Sequence, residues 1–288
     1  MSGANAQDYP EGALYVVAVP IGNMADITLR ALVTLSMADL IAAEDTRETK
    51  KLLDRFGLVK PTASVREHNE ATQADMIIQR LGKGQRVALV TDAGTPGISD
   101  PGAKTVSRVT QAGFRAIPIP GACAAVSAVS VSGITEGGFR FVGFLPPQAA
   151  AAKAKLASLA QEEDAFVLYE SPHRIEPLFA MMRETLEAQR LVTVAREMTK
   201  RFEDIRTMSV EALATYFEND PPRGEFAIVV YGRKKEKKTL SSADLKWVEA
   251  LADIVAPSKL AALAAKVTGA QRDSIYRMLQ ERKTTKED

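Results

Sequence analysis

Apolar runs too short for helices punctuate the first half of this chain, and each is followed by a segment with helical spacing. Leu14-Tyr15-Val16-Val17-Ala18-Val19 is the first of them. A run without polar alternation suits a parallel strand buried on both faces. After Pro20-Ile21-Gly22-Asn23, the spacing predicts a helix from about Thr28 to Met37, with Leu29, Leu32, Val33 and Leu35 on its apolar face. Leu40-Ile41-Ala42-Ala43 reads as the second strand, and a helix ending near Gly57 follows it. Ala63-Ser64-Val65 begins a weaker third strand that ends near His68, and Met76, Ile77, Ile78 and Leu81 mark the next helix. Arg86-Val87-Ala88-Leu89-Val90, a helix near Thr105 and a strand at 116–119 complete five strand–helix units. This alternation predicts a mostly parallel α/β sheet.

A second series starts at Phe139-Arg140-Phe141-Val142-Gly143-Phe144. It continues at Phe166-Val167-Leu168-Tyr169, Leu191-Val192-Thr193-Val194-Ala195 and Phe226-Ala227-Ile228-Val229-Val230-Tyr231. Partial alternation at 203–210 adds an antiparallel strand, so this second sheet is expected to be mixed. Helical segments follow at 243–255, 258–267 and 271–282, the last two separated by Gly269. Two short helices around a glycine turn fit either a helix-turn-helix or a simple packing module. The expected fold is therefore two α/β domains and a small helical module. The boundaries expected are a flexible tail at 1–13, an N-terminal domain at 14–132, a second domain at 133–232, a basic linker at 233–240 and the helical module at 241–288.

Composition narrows the chemistry. Cys123 is the only cysteine of 288 residues, which excludes an internal disulfide or a multi-thiolate cluster and points to a reduced compartment, most simply the cytoplasm. With only His68 and His173 as histidines, no metal site is expected. The N-terminus lacks the basic start and apolar core of a signal peptide. The longest charge-free stretch, 116–135, holds Pro118, Pro120, Gly121 and Gly133, which argue against a membrane span. Residues 1–232 carry 24 basic and 28 acidic side chains, net −4, whereas residues 233–288 carry 13 and 8, net +5. The basic run that starts at Arg233 is either a solvated linker or a segment that faces phosphates.

Ligands of open parallel sheets gather at the carboxyl ends of the strands. Loops at such ends are unusual here. The segment 92–102 holds three glycines, two prolines, Asp92 and Asp100, so its backbone can approach a ligand closely while its carboxylates accept from hydroxyls or an amine. It lacks Gly-Lys-Ser/Thr, and no G-x-G-x-x-G follows the first strand, so neither a P-loop nor an ordinary dinucleotide site is expected. Glu44, Asp45 and Arg47 end the second strand, as either a capped helix start with an ion pair or a substrate-orienting group. Small residues from Gly121 to Ala125 would admit a ring or a ribose, or simply pack a helix tightly. His173 and Arg174 end one strand of the second domain, and Arg196, Glu197 and Lys200 another.

This ordered set resembles the tetrapyrrole-methylase superfamily of S-adenosylmethionine-dependent methyltransferases and, within it, the ribosomal RNA small subunit methyltransferase I family. The stretches that carry the resemblance are Pro20-Ile21-Gly22-Asn23, Ala43-Glu44-Asp45-Thr46-Arg47, 91–102, Pro120-Gly121-Ala122-Cys123-Ala124, Tyr169-Glu170-Ser171-Pro172-His173-Arg174, Ala195-Arg196-Glu197-Met198-Thr199-Lys200 and Gly224-Glu225. Members acting on tetrapyrroles usually carry a G-x-G-P-G loop after the first strand. Ala18-Val19-Pro20-Ile21-Gly22 stands there instead and argues against a corrinoid or porphyrin substrate. Ala122 replaces the proline often found in the ribosomal subgroup.

The resemblance implies a homodimer that methylates the ribose 2′-hydroxyl of a cytidine in the decoding region of 16S ribosomal RNA, in the small ribosomal subunit. S-adenosylmethionine would be converted there to S-adenosylhomocysteine, without a metal. It implies cofactor contacts at Pro20, Ile21, Gly22, Asp92, Gly94, Thr95, Ile98, Gly121, Cys123, Ala124 and Tyr169. A ribose hydroxyl is a poor nucleophile, so a base assists its attack. Glu44, Asp45, Asp100, Glu170 and His173 are candidates for that base, and Arg47, Arg174 and Lys200 for orienting phosphate or steadying the oxygen. Two other functions compete: a tetrapyrrole C-methyltransferase with the same donor, and a non-enzymatic nucleic-acid-binding regulator that reads with its last helices.

Overall fold

A computed structural model describes residues 8–66, 68–218, 221–233 and 240–287. The chain forms two compact units, Met1–Arg233 and Lys234–Asp288. The expected basic linker falls largely on 234–239, outside the described residues.

The larger unit holds two five-stranded sheets. In the first, β1 (Ala13–Val17), β2 (Leu40–Ala43), β3 (Thr62–Ser64), β4 (Val87–Val90) and β5 (Arg115–Ile119) lie in the order β3-β2-β4-β1-β5. Every pairing is parallel. The apolar runs have the burial that their sequences predict: all four residues of β2 and of β4 are buried. Between these strands run α1 (Leu29–Met37), α2 (Thr46–Arg55), α3 (Glu70–Leu81) and α4 (Ala103–Gln111). Thr28 caps α1, its hydroxyl accepting from the Ala31 amide at 3.1 Å, which sets that helix start where the sequence suggests it. Tyr9 and Pro10, within the expected tail, are fixed. Tyr9 is buried, its carbonyl accepts from the Arg86 guanidinium at 2.8 Å, and the Pro10 carbonyl accepts from the Tyr15 hydroxyl at 2.7 Å.

The second sheet is mixed. β6 (Phe139–Phe144), β7 (Ala165–Glu170), β8 (Leu191–Arg196), β9 (Asp204–Ser209) and β10 (Phe226–Val230) take the order β6-β7-β10-β8-β9. Only β6 and β7 are parallel; the partial alternation at 203–210 is the antiparallel edge strand β9. One face is covered by α6 (Ala149–Leu159) and α7 (Ile175–Thr185), with Leu156, Leu159, Phe166, Leu168, Ile175 and Ile228 in a shared core. The other face receives α5 (Ala124–Ser132), whose Ala125 and Ala128 lie on Val167, Ala195, Ala227 and Val229. Alanines on that stripe let the helix approach the sheet closely. The helix expected to close the first domain thus lines the second sheet.

The smaller unit holds α8 (Ser242–Leu251), α9 (Pro257–Thr268) and α10 (Arg272–Glu287). Ser241 and Asp244 form a reciprocal capping box at the start of α8. Gly269, at φ +74°, ends α9 in the left-handed conformation that glycine favours. Val248, Leu260, Ala261, Ala264, Ile275 and Leu279 form the core of the unit. No described helix is long and apolar enough to cross a membrane.

Candidate active site

Parallel pairing brings the carboxyl ends of β1, β2, β4 and β5 to one edge of the first sheet. In the second sheet the carboxyl ends of β6, β7 and β8 share an edge, and because β10 is antiparallel its amino end lies among them, Phe226 opposite Glu170 and Arg196. A cavity of about 470 Å³ opens between these two sets of strand ends. Its size lies in the range of small-molecule sites.

The first sheet supplies Ile21, Glu44, Asp92, Gly94, Thr95, Ile98 and Asp100 to the wall. The loops after β1 and β4 are bonded to each other: Val19 donates to the Gly94 carbonyl at 2.9 Å and Gly94 donates to the Val19 carbonyl at 3.1 Å. Gly94 has φ +75°, a conformation that glycine favours, so glycine serves the turn that joins these loops. The Thr95 hydroxyl donates to the Ala122 carbonyl at 2.9 Å, tying the loop after β4 to that after β5. Cys123, Ala124 and Tyr169 continue the wall, and the Tyr169 hydroxyl accepts from the Ala125 amide at 2.7 Å. Burial, and then proximity to Cys123, push the Tyr169 phenol above its ordinary range, so it stays neutral.

Carboxylates dominate the remaining polar groups. Asp92 accepts from the Asp45 amide at 3.0 Å, and the Asp92 amide donates to Glu44 at 3.5 Å. Burial raises both carboxyls, and the Asp92 charge raises Glu44 further. Asp100 is pushed up to about 6, by burial first and then by the charges of Glu44, Asp92 and Glu225. No described residue donates a hydrogen bond to its side chain. Asp100 does not cap α4 either: the amides of Gly102 and Thr105 donate to buried Glu70, at 3.0 and 2.8 Å.

Several residues singled out from sequence stand away from the cavity wall. Asp45 caps α2 by accepting from the Arg47 amide at 2.9 Å and pairs with the Arg47 guanidinium at 2.5 Å, an arrangement that holds its carboxyl well below the usual range. Arg174 donates to the Leu145 carbonyl at 3.0 Å and pairs with Glu170 at 3.3 Å. Glu170 lines the cavity, but its carboxylate also accepts from the Ser171 amide at 2.8 Å. His173 is exposed in the turn before α7. Lys200 bridges Glu197 at 2.8 Å and Glu225 at 2.9 Å. Gly22 clears its path, since a Cβ there would meet Lys200 Cγ at 2.5 Å. Gly121 gives room to Ala18, whose Cβ lies 2.9 Å from where its own would be, and Pro20 is buried.

Ser99, Phe144, Ser171, Glu225 and Phe226 line the cavity without having been singled out as site residues. Glu225 and Phe226 follow from the antiparallel strand, which brings an amino end among carboxyl ends. Their signal was the Gly224-Glu225 pair just before the last strand.

Two comparable sheets with a cavity at their facing strand ends define a methylase fold of the tetrapyrrole type. The family described as tetrapyrrole (corrin/porphyrin) methylases matches residues 13–214. A uroporphyrin-III-C-methyltransferase from Thermus thermophilus superposes with a TM-score of 0.52 at 20% identity, over 76% of this chain and 94% of its own. The methyltransferase CobJ superposes at 0.57 and 18% identity, over 79% and 97%. Relatives named ribosomal RNA small subunit methyltransferase I are much nearer in sequence. That of Pasteurella multocida is 43% identical over 92% of this chain and 95% of its own, and that of Mesorhizobium japonicum is 43% identical over 96% and 94%. The chain belongs to the ribosomal RNA small subunit methyltransferase I family, a branch of the tetrapyrrole methylases, and is a methyltransferase.

Proposed function

We propose that this protein transfers a methyl group from S-adenosylmethionine to the ribose 2′-hydroxyl of a cytidine in 16S ribosomal RNA, acting on the small ribosomal subunit as a homodimer in the cytoplasm. One observation carries the choice of RNA over tetrapyrrole. The relatives named for ribosomal RNA match 92–96% of the chain at 43% identity, a span that must include most of Lys234–Asp288. The net-basic segment is thus shared largely with relatives named for ribosomal RNA, and its charge suits phosphates.

The cavity suits the donor. Its 470 Å³ volume is adequate, Gly94 and Ala124 keep the wall close to the main chain, and the carboxylates offer a negative field to a sulfonium and an ammonium. Ile21, Gly94, Thr95, Ile98, Cys123, Ala124 and Tyr169 would hold it, with Glu44 and Asp92 accepting from hydroxyls or the amine. When bound, S-adenosylmethionine supplies an electrophilic methyl group on sulfur. Asp100 is the base: it lines the cavity, no described residue donates a hydrogen bond to its Oδ atoms, and a carboxyl pushed up to about 6 is ionised yet still basic at neutral pH. Glu197 and Lys200 hold Glu225 at the rim. Incubation with labelled donor and either small ribosomal subunits or uroporphyrinogen tests the assignment. Label on a cytidine 2′-oxygen is expected; label on the tetrapyrrole alone would overturn it.

The larger unit is net acidic, so phosphate contacts fall to the basic segment. Lys259, Lys266, Arg272 and Arg277 are exposed on α9 and α10. Removing residues 234–288 is expected to weaken affinity for the small subunit at least about tenfold and to flatten its dependence on salt, by mass-action measurements in two buffers. Binding of S-adenosylhomocysteine should persist. Undiminished subunit affinity would reject this division of labour.

A further inference from the structure

We propose that Phe144 is the platform on which a nucleobase of the RNA stacks while its ribose is offered to the cavity; this rests on the RNA-methylation reading above. Phe141 and Phe144 are three residues apart on β6, a spacing that puts side chains on opposite faces of a regular strand. Here the register breaks. Phe141 pairs with Val167, Gly143 with Leu168 and Phe144 with Tyr169, so two residues of β6 span one step of β7. This bulge turns Phe144 onto the face of Phe141 and Tyr169, and bulges re-aim side chains beside active sites in this way. Both phenyl rings meet the Tyr169 ring edge-on, at centroid distances of 5.1 Å for Phe141 and 5.9 Å for Phe144.

The bulge is built against the cofactor side of the cavity. Gly143 has φ +75°, and a Cβ there would lie 2.6 Å from Ser99 Oγ, one residue before Asp100. Glycine favours that conformation, and any larger residue there would oblige the Ser99 hydroxyl to move. Phe144 lines the cavity yet is 52% exposed, so its ring faces what arrives from outside.

Charge decides what can arrive. Glu44, Asp92, Asp100 and Glu225 repel phosphate from the interior, so an RNA strand must keep its backbone outside and present ribose and base. A ribose drawn into a recessed cavity carries its base out of the stack. An open aromatic ring at the entrance replaces the lost stacking and tolerates any base.

The test uses the full chain with Phe144→Ala, Phe144→Leu and Phe144→Trp. Methyl transfer to small ribosomal subunits gives kcat/KM, and calorimetry gives the affinity for S-adenosylhomocysteine. For Phe144→Ala, kcat/KM is expected to fall roughly 10- to 100-fold while that affinity stays within about twofold. Phe144→Leu, which keeps apolar bulk without a flat ring, should match the alanine variant, and Phe144→Trp should recover most of the activity. A tenfold loss of S-adenosylhomocysteine affinity would make Phe144 part of the cofactor wall and overturn the proposal, as would unchanged subunit kinetics or full activity in Phe144→Leu. If the unaltered enzyme methylates no ribosomal subunit, the RNA reading itself fails, whatever the variants do.

Discussion

Replacing Asp100 with asparagine is expected to lower kcat by about 10²- to 10⁴-fold, the usual contribution of a positioned base, while binding of S-adenosylhomocysteine is retained. Among the carboxylates that line the cavity, Asp100 alone has no hydrogen bond from a described residue. Asp45 is held by Arg47, Glu170 by the Ser171 amide and Arg174, and Glu44 and Asp92 join in a chain of backbone hydrogen bonds. The same burial and neighbouring charges that push its carboxyl up to about 6 give the prediction a pH signature. In the free enzyme kcat/KM should rise with pH through about 6 and then level off, a rise that Asp100→Asn abolishes.

Stability should respond with the opposite sign. A carboxyl whose folded-state value is raised adds stability below its unfolded value, near 3.8, and that stability is lost as pH climbs through about 6. Asp100 is only half withdrawn from water, so the penalty on its ionised form comes to about 1 kcal/mol after screening. The asparagine variant should therefore melt roughly 2–4 °C higher at pH 8 and no higher near pH 3.5. A kcat within about threefold of the unaltered enzyme, together with a flat pH profile, would remove Asp100 as the base.

The elements were legible where burial acts on both faces of a strand. Val87–Val90 and Phe226–Val230 are wholly buried, and no polar residue interrupts either run. The helix Ala149–Leu159 was not legible, because its sequence is largely alanine and shows little periodicity. The loops of the site could be read because glycine and proline record backbone geometry directly. Side-chain roles could not, for two reasons. Charges next to each other in sequence satisfy each other first, as Asp45 with Arg47 and Glu170 with Arg174 show. Other members of the site depend on pairing across the sheet: Glu225 arrives because β10 runs antiparallel, and Phe144 because one extra residue shifts its register.

Glu70 is the sharpest case of a residue whose importance no local pattern shows. It sits in the first turn of α3, yet its Oε1 accepts both from the Gly102 amide and from the Thr105 amide, 32 and 35 residues away. It thereby caps α4, whose own N-cap residue, Gly102, has no side chain and takes φ +132°; a Cβ there would crowd Leu89 Cδ2 at 3.2 Å. With Gly102 held, the segment carrying Thr95, Ile98 and Asp100 is anchored at its far end. Glu70→Ala leaves two amides without acceptors at a buried site, which costs about 2–4 kcal/mol and lowers Tm by roughly 5–15 °C. Both hydrogen bonds end on one oxygen, so the amide oxygen of Glu70→Gln can accept them. That variant should lose only the attraction between its charge and the helix dipole, about 0.5–1 kcal/mol. The functional readout separates anchoring from general destabilisation. At a temperature where both variants are folded, Glu70→Ala should weaken S-adenosylhomocysteine binding by about tenfold, whereas Glu70→Gln stays near the unaltered enzyme. Equal melting temperatures for the alanine and glutamine variants would show that the two hydrogen bonds do not hold the loop.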